Sequence, residues 1–216
     1  MIEATNIIKS YDKLQVLKNI SLQVANEEIV CLVGASGAGK STLLHILGTL
    51  DKPDSGKVLI DGKDVLAMSD KALSQYRNQH IGFVFQFHHL LPEFTAIENI
   101  CLPALIGGKS KKEAVKDAEH LLDIFNLKDR ATHKPSELSG GEQQRIAIAR
   151  ALINNPSVVF ADEPSGNLDS QNAAELHQLF VKLRDILHQT FVIVTHNPSL
   201  VDVADRVLQI KDGVII

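Results

Sequence analysis

A continuous apolar run, Ile29-Val-Cys-Leu-Val33, passes directly into the loop Gly34-Ala-Ser-Gly-Ala-Gly-Lys40. That loop leads straight into Ser41-Thr-Leu-Leu-His-Ile-Leu47, whose apolar residues recur at helical spacing. A strand that becomes a helix through a glycine loop constrains the fold more than any other stretch of this chain. The turn has to present successive backbone N–H groups at a helix N-terminus, where free donors and the helix dipole both favour an anion. The spacing fits GxxxxGK[ST], the pattern of loops that wrap nucleotide phosphates. Gly34, Gly37 and Gly39 permit the sharp turns and close approach that a Cβ would obstruct, and Ala35, Ser36 and Ala38 complete the cradle of N–H groups. Lys40 supplies a point charge for the outer phosphates, and Ser41 supplies a hydroxyl for Mg²⁺.

Three further apolar runs of strand length follow: Ile81-Gly-Phe-Val-Phe85, Val158-Val-Phe-Ala161 and Phe191-Val-Ile-Val194. Helical stretches separate them, which predicts a mainly parallel sheet covered by helices on both faces, an α/β fold of the P-loop NTPase kind. The N-terminal region differs. Turn signals at Pro53-Asp-Ser-Gly56 and Asp61-Gly62 flank Val58-Leu-Ile60, so residues 1–30 and 56–66 are expected to build a small antiparallel sheet. From Phe87 to Glu137 strand-like runs disappear. There Ser110-Lys-Lys-Glu113 reads as a capping box, and Ala114, Ala118, Leu121, Leu122 and Phe125 mark one helical face. The expected organisation is one domain, with residues 1–86 and 138–216 forming the core and 87–137 an inserted helical part.

With 22 Lys+Arg against 26 Asp+Glu the net charge is −4, so the positive field that drives nucleic-acid binding is missing. No apolar run is long enough to cross a bilayer, and no charged-then-apolar leader opens at Met1-Ile-Glu-Ala, so direct membrane insertion is not expected. Cys31 and Cys101 sit in apolar surroundings without CxxC spacing and read as small buried hydrophobes. His88-His89, with His80 nearby, lacks the further ligands of a metal site. Lys109, Lys111 and Lys112 read as a solvated helix start.

A second motif, Leu138-Ser-Gly-Gly-Glu-Gln-Gln-Arg145, decides among nucleotide-binding chains. Together with the phosphate loop it resembles the ATP-binding subunits of ABC proteins, and the resemblance extends over essentially the whole chain. It implies ATP and Mg²⁺ as ligands and assigns roles position by position. Tyr11 matches the aromatic residue that stacks on adenine. Thr42 would touch the inner phosphate, and Gln86 matches the glutamine that reaches the metal and the attacking water. Asp162 and Glu163 follow a buried strand, which places both carboxylates at the carboxyl edge of a parallel sheet, where ligands collect. By resemblance Asp162 joins Ser41 and Gln86 around magnesium, Glu163 orients or deprotonates the hydrolytic water, and His196 contacts the γ-phosphate. The catalytic set is thus Glu163, His196, Gln86 and Lys40. Ser139, Gly140 and Gly141 open a helix whose N-terminus has no anion within its own subunit. The family's answer is a head-to-tail homodimer with ATP at the interface, in which these residues and Asp169 of Asn167-Leu-Asp169 complete the partner's site.

The segment Gln86-Phe-His-His-Leu-Leu-Pro-Glu-Phe-Thr-Ala-Ile-Glu-Asn-Ile100, with Leu102-Pro103, lies where such subunits meet a membrane permease, so the contact is expected near Phe87–Leu102. Its pattern resembles the lipoprotein-releasing group of bacterial ABC transporters. MacB-like exporters and FtsE-like division ATPases share much of it, as do Asp51-Lys-Pro-Asp-Ser-Gly56 and Gly166-Asn-Leu-Asp169. The chain departs from that pattern at Ser165, where Thr is usual. Soluble ABC ATPases of repair or translation usually carry long coiled-coil or zinc insertions, and this sequence has none. The expected place of action is the cytoplasmic face of the inner membrane, as a peripheral subunit.

Overall fold

Alternate residues of the central strands face opposite ways, and both ways are apolar. In β3 (Ile29–Val33), Ile29 and Cys31 enter one core while Val30 and Leu32 enter another. β7 (Val158–Asp162) and β8 (Thr190–Val194) divide in the same manner, with Val159, Ala161, Phe191 and Ile193 on the first side and Val158, Phe160, Val192 and Val194 on the second. A strand buried on both faces reads as a continuous apolar run rather than an alternating one, which is why these segments stood out in the sequence. The computed structural model describes every residue from Met1 to Ile216.

With β6 (Ile81–Phe85), β9 (Arg206–Lys211) and β10 (Val214–Ile215), these strands form one sheet in the order β10-β9-β3-β8-β7-β6, parallel except for β10. A second, antiparallel sheet runs β2-β1-β4-β5, from β1 (Ile2–Tyr11), β2 (Leu14–Val24), β4 (Ser55–Ile60) and β5 (Lys63–Asp64). Helix α1 (Lys40–Leu47) lies between the sheets, its Leu43, Leu44, Ile46 and Leu47 packed with residues of both. Helix α2 (Asp70–His80) precedes β6 and adds Leu73 and Tyr76 to the same core. On the opposite face of the parallel sheet lie α3 (Ala96–Ile106), α4 (Lys111–Ile124), α5 (Gly140–Leu152) and α6 (Ser170–Leu187). The short α7 (Pro198–Val201) adds Leu200.

Local chemistry starts α4 where the sequence predicts. Ser110 caps α4 in a reciprocal box with Glu113, and Ala114, Ala118, Leu121, Leu122 and Phe125 are all buried. Thr95 and Glu98 do the same for α3. Within α3 the fully buried Asn99 accepts from Leu91 N and donates to the carbonyls of Leu91, Phe94 and Thr95, so one side chain holds the loop that precedes the helix. Strand β9 is the element that the apolar-run reading passed over: Val207 is exposed and Leu208 only half-buried, so its sequence alternates and carries no continuous run.

Register decides the position of the site. Leu32 of β3 pairs with Val194 of β8, Val194 with Asp162 of β7, and Asp162 with Phe85 of β6. Four strands therefore end together, and the residues just beyond them, Gly34, Gln86, Glu163 and Thr195-His196, leave the sheet at a common edge.

Candidate functional site

The phosphate loop emerges from β3 and turns into α1 through Gly39, which has the left-handed φ of 102° at the helix N-cap. Gly34 is required for space: a Cβ there would collide with the backbone carbonyl of Ile210 in β9. Lys40 Nζ donates to the carbonyls of Gly34 and Ala35 at 2.9 and 3.0 Å, so the ammonium lies along the loop rather than out in solvent. Ser41 Oγ donates to Asp162 Oδ1 at 3.1 Å, which joins the first turn of α1 to the end of β7.

Burial pushes the Asp162 carboxyl above its ordinary range, and the Ser41 hydroxyl and the nearby His45 offset part of that rise. A half-buried carboxylate beside a hydroxyl is a set of hard oxygen donors of the kind Mg²⁺ takes, an ion that fills the rest of its shell with waters and phosphate oxygens. The side-chain chemistry of Ser41 and Asp162 therefore fits that ion.

Glu163 follows with a left-handed φ of 48°, a conformation non-glycine residues adopt rarely and chiefly where surroundings enforce it. Its N–H donates to Val194 O, its carbonyl accepts from Gly166 N, and its carboxylate meets His196, with Nδ1 2.9 Å from Oε1. The backbone N–H of His196 reaches the other oxygen, Oε2, at 3.4 Å. Glu163 and His196 thus form one unit at the sheet edge. Tyr11, at the end of β1, is half exposed, and its hydroxyl donates to Asp51 Oδ2 at 2.6 Å. The carboxylate of Asp51 also accepts from Lys9 Nζ and Lys52 N.

An open cavity of about 570 Å³ gathers Tyr11, Leu14, the phosphate-loop residues Gly34, Ser36, Gly37 and Gly39 to Thr42, and Glu163 and His196. An aromatic face at one end and a carboxylate–imidazole pair at the other, with the amide cradle between, suit a planar base joined to a chain of phosphates.

Other expected members stand apart. Gln86 leaves β6 beside Asp162, yet its side chain donates to Asn167 Oδ1 at 3.0 Å while its carbonyl accepts from Asn167 Nδ2. Ser139 caps α5 with Glu142, and Arg130 Nε binds the Glu142 carboxylate at 2.9 Å. Asp169 caps α6, Oδ1 accepting from Asn172 N and Oδ2 from Asn172 Nδ2. A Cβ on Gly141 would overlap the Asn172 amide, and Leu168 lies beside Gly140. The starts of α5 and α6 therefore form one patch, which shares no residue with the cavity at the phosphate loop.

Sequence reasoning missed Asp51, which anchors Tyr11, and Asn167, which holds Gln86 on both its backbone and side chain. Both lie within quoted motif stretches, but their partners are 40 and 81 residues away in the chain, a pairing that no local pattern reveals. His88 and His89 offer their carbonyls to Arg150 at 2.9 and 2.8 Å, so this pair shapes the loop after β6.

Comparison with known proteins agrees in sequence and in fold. Residues 17–166 match the ABC transporter family. The chain is 60% identical to the lipoprotein-releasing system ATP-binding protein LolD of Cytophaga hutchinsonii, over all of this chain and 99% of that one. It is 59% identical to LolD of Bacteroides fragilis over the full length of both. Among solved structures it superimposes on a dimeric bacterial ABC transporter cassette with a TM-score of 0.90 and 41% identity, covering 100% of this chain and 96% of that one. A dimeric post-hydrolysis state of an ATP-binding cassette bound to ADP and Pi gives 0.89 and 40% at the same coverage.

Proposed function

This chain belongs to the ABC transporter family of ATP-binding proteins, and from that premise we propose that it is the ATP-hydrolysing motor subunit of a bacterial lipoprotein-releasing transporter. The observation that carries the chemistry is the cavity that unites Tyr11, the Gly34–Thr42 loop, Glu163 and His196. Full-length identity of 57–60% to the LolD proteins of Cytophaga hutchinsonii, Bacteroides fragilis and Porphyromonas gingivalis carries the assignment to lipoprotein release.

In this reading Tyr11 stacks on the adenine, the amides of residues 34–42 bind the phosphates, and Thr42 meets the inner one. Lys40 shifts from its own loop carbonyls to the outer phosphate oxygens. Ser41, Asp162 and Gln86 hold Mg²⁺, which when bound neutralises charge on the outer phosphates. Glu163 accepts a proton from the water that attacks the γ-phosphorus as the bond to the β-phosphate oxygen breaks, and ADP leaves. His196 holds the Glu163 carboxylate from one side and faces the γ-phosphate with its other edge. Protein groups then act mainly by position and charge, as phosphoryl transfer requires.

The patch formed by Ser139, Gly140, Gly141 and Asp169 serves a second copy. Two chains close head to tail, each completing the other's ATP site, and hydrolysis releases the contact. Residues 1–86 and 138–216 act as the nucleotide-binding core, with 87–137 as the helical insertion. Near Phe87–Leu102 the exposed Phe87, Leu91 and Phe94 offer an apolar surface for a permease at the cytoplasmic face of the inner membrane. No helix of the chain is long and apolar enough to cross a membrane.

The test is a detergent pull-down of tagged Glu163→Gln chain from its own cells, with copurifying membrane proteins identified by mass spectrometry. Permease subunits with large periplasmic domains, together with bound lipoprotein, are the expected result. A division-type partner would reassign the chain to the FtsE-like group, and recovery of no membrane protein would remove the transporter reading.

A further inference from the structure

Helix α6 buries a stripe made of Ala173, Leu176, Phe180 and Leu183, and His177 occupies the same stripe at 2% exposure. An imidazole in an apolar stripe needs partners for both ring nitrogens, and these partners come from two different catalytic segments. Nε2 lies 3.2 Å from Ser165 Oγ, two residues after Glu163. Nδ1 lies 3.1 Å from Ser199 Oγ, three residues after His196. We propose that His177 is a positioning residue for ATP hydrolysis, a bridge from the buried face of α6 that ties the turn carrying Glu163, through the buried Ser165, to the turn carrying His196, through the exposed Ser199.

The proton count of the network gives it a direction. Ser199 Oγ is 2.8 Å from Asn197 Oδ1, which has no proton to give, so the hydroxyl of Ser199 is spent on Asn197. Nδ1–H of His177 then donates to Ser199, and the Ser165 hydroxyl donates to Nε2. Each link uses one proton, and the ring is neutral, consistent with burial pushing its pKa down. Asn197 Oδ1 also accepts Ser199 N at 3.0 Å, and Asn197 N donates to Thr195 Oγ1 at 3.0 Å, so the chain of bonds runs on to the residues flanking His196.

The bridge matters because both ends are short and strained or exposed. Glu163 holds a left-handed backbone at φ 48°, and His196 is three-quarters exposed, yet their side chains must meet within 2.9 Å. Fixing Ser165 and Ser199 to one rigid ring sets the distance between the two turns from beneath. Displacements of an ångström at such a pair are enough to cost about 10²-fold in rate.

The inference rests on the proposed roles of Glu163 and His196, so Glu163→Gln and His196→Ala serve as controls in the same assay. Steady-state hydrolysis by the full chain is measured for His177→Leu, His177→Asn, His177→Gln, Ser165→Ala and Ser199→Ala. The kcat is divided by the number of sites that titrate with a fluorescent ATP analogue. His177→Leu is expected to lower kcat per binding site about tenfold with KM for ATP within about twofold of the parent. Asn keeps a donor near Nδ1 and Gln keeps a polar atom near Nε2, so each recovers part of the loss. An unchanged kcat per site in His177→Leu, or a fall confined to the number of binding sites, would overturn the bridge. Recovery by neither amide would overturn it too, by making the effect one of shape. Hydrolysis that persists in both controls would instead remove the site assignment beneath it. Ser165→Ala and Ser199→Ala break one link each without disturbing the helix stripe, so they decide the matter if the His177 variants do not fold.

Discussion

Tyr11 is tethered by its hydroxyl to Asp51, 2.6 Å away on the loop after α1, while Lys9 Nζ sits 5.0 Å over the centre of its ring. The ring is thus held from both its edge and one face, which leaves the other face for the proposed stacking on a base. Removing the ring with Tyr11→Ala should weaken ATP binding about 10- to 100-fold, the worth of one base–aromatic stack. Tyr11→Phe keeps the stack and loses only the tether, so its affinity should stay within about threefold. Equilibrium titration with a fluorescent ATP analogue separates the two variants, and equal losses in both would place the binding energy in the hydroxyl instead.

The Lys9–Asp51 pair makes a stability prediction with a definite pH window. Burial pushes the Asp51 carboxyl up, but hydrogen bonds from Lys9, Tyr11 and Lys52 N outweigh it, and the folded-state pKa lies below the ordinary value. Stability from such a group is present above the unfolded-state pKa and lost as pH falls through the folded one. For Lys9 the hydrogen bond to Asp51 leads and the pKa is raised, so its share is present below the unfolded-state value and lost as pH rises through the folded one. Asp51→Asn should therefore lower Tm at neutral pH and lose that difference in strong acid. Parallel thermal melts across pH check this, and a constant gap down to the lowest pH would contradict it.

The framework of this site is legible in the sequence, for a physical reason. β3, β7 and β8 are buried on both faces, so their apolar runs mark the sheet, and the residues that follow them, Gly34, Glu163 and His196, inherit its edge. Asp51 was not legible, because its role depends on the antiparallel sheet carrying Tyr11 to it from 40 residues away. His177 was hidden differently: its spacing on α6 is that of a core residue, and only the approach of Ser165 and Ser199 gives the ring work. Strand β9 lacked a run because it lies toward the sheet's edge, between β3 and the two-residue β10.

Glu163→Gln should bind ATP as the parent does and lose at least about 100-fold in kcat, because an amide cannot accept the proton of the attacking water. The substitution preserves shape, so His196 Nδ1 still finds an oxygen at the position of Oε1, 2.9 Å away. Single-turnover hydrolysis of radiolabelled ATP reads the step directly. Rapid turnover by this variant would transfer the basic role elsewhere.

The same variant gives the background in which to test the second patch. A methyl on Gly141 would overlap the Asn172 amide, whose Nδ2 donates to Asp169 Oδ2 at 2.7 Å. The Asn172 side chain can move, so Gly141→Ala should fold normally, but moving it breaks one of the two contacts that orient Asp169 at the start of α6, leaving only the bond from Asn172 N. The patch lies outside the cavity that holds the phosphate loop, so the single chain should bind ATP with unchanged affinity. What should be lost is association: on the proposed head-to-tail closure Glu163→Gln should dimerise when ATP binds, and adding Gly141→Ala should leave it monomeric with ATP bound. Light scattering with and without Mg-ATP measures this. A dimer of undiminished stability would show that the two helix starts do not meet the partner's nucleotide, whereas a loss of ATP affinity in the monomer would show that they act within their own subunit.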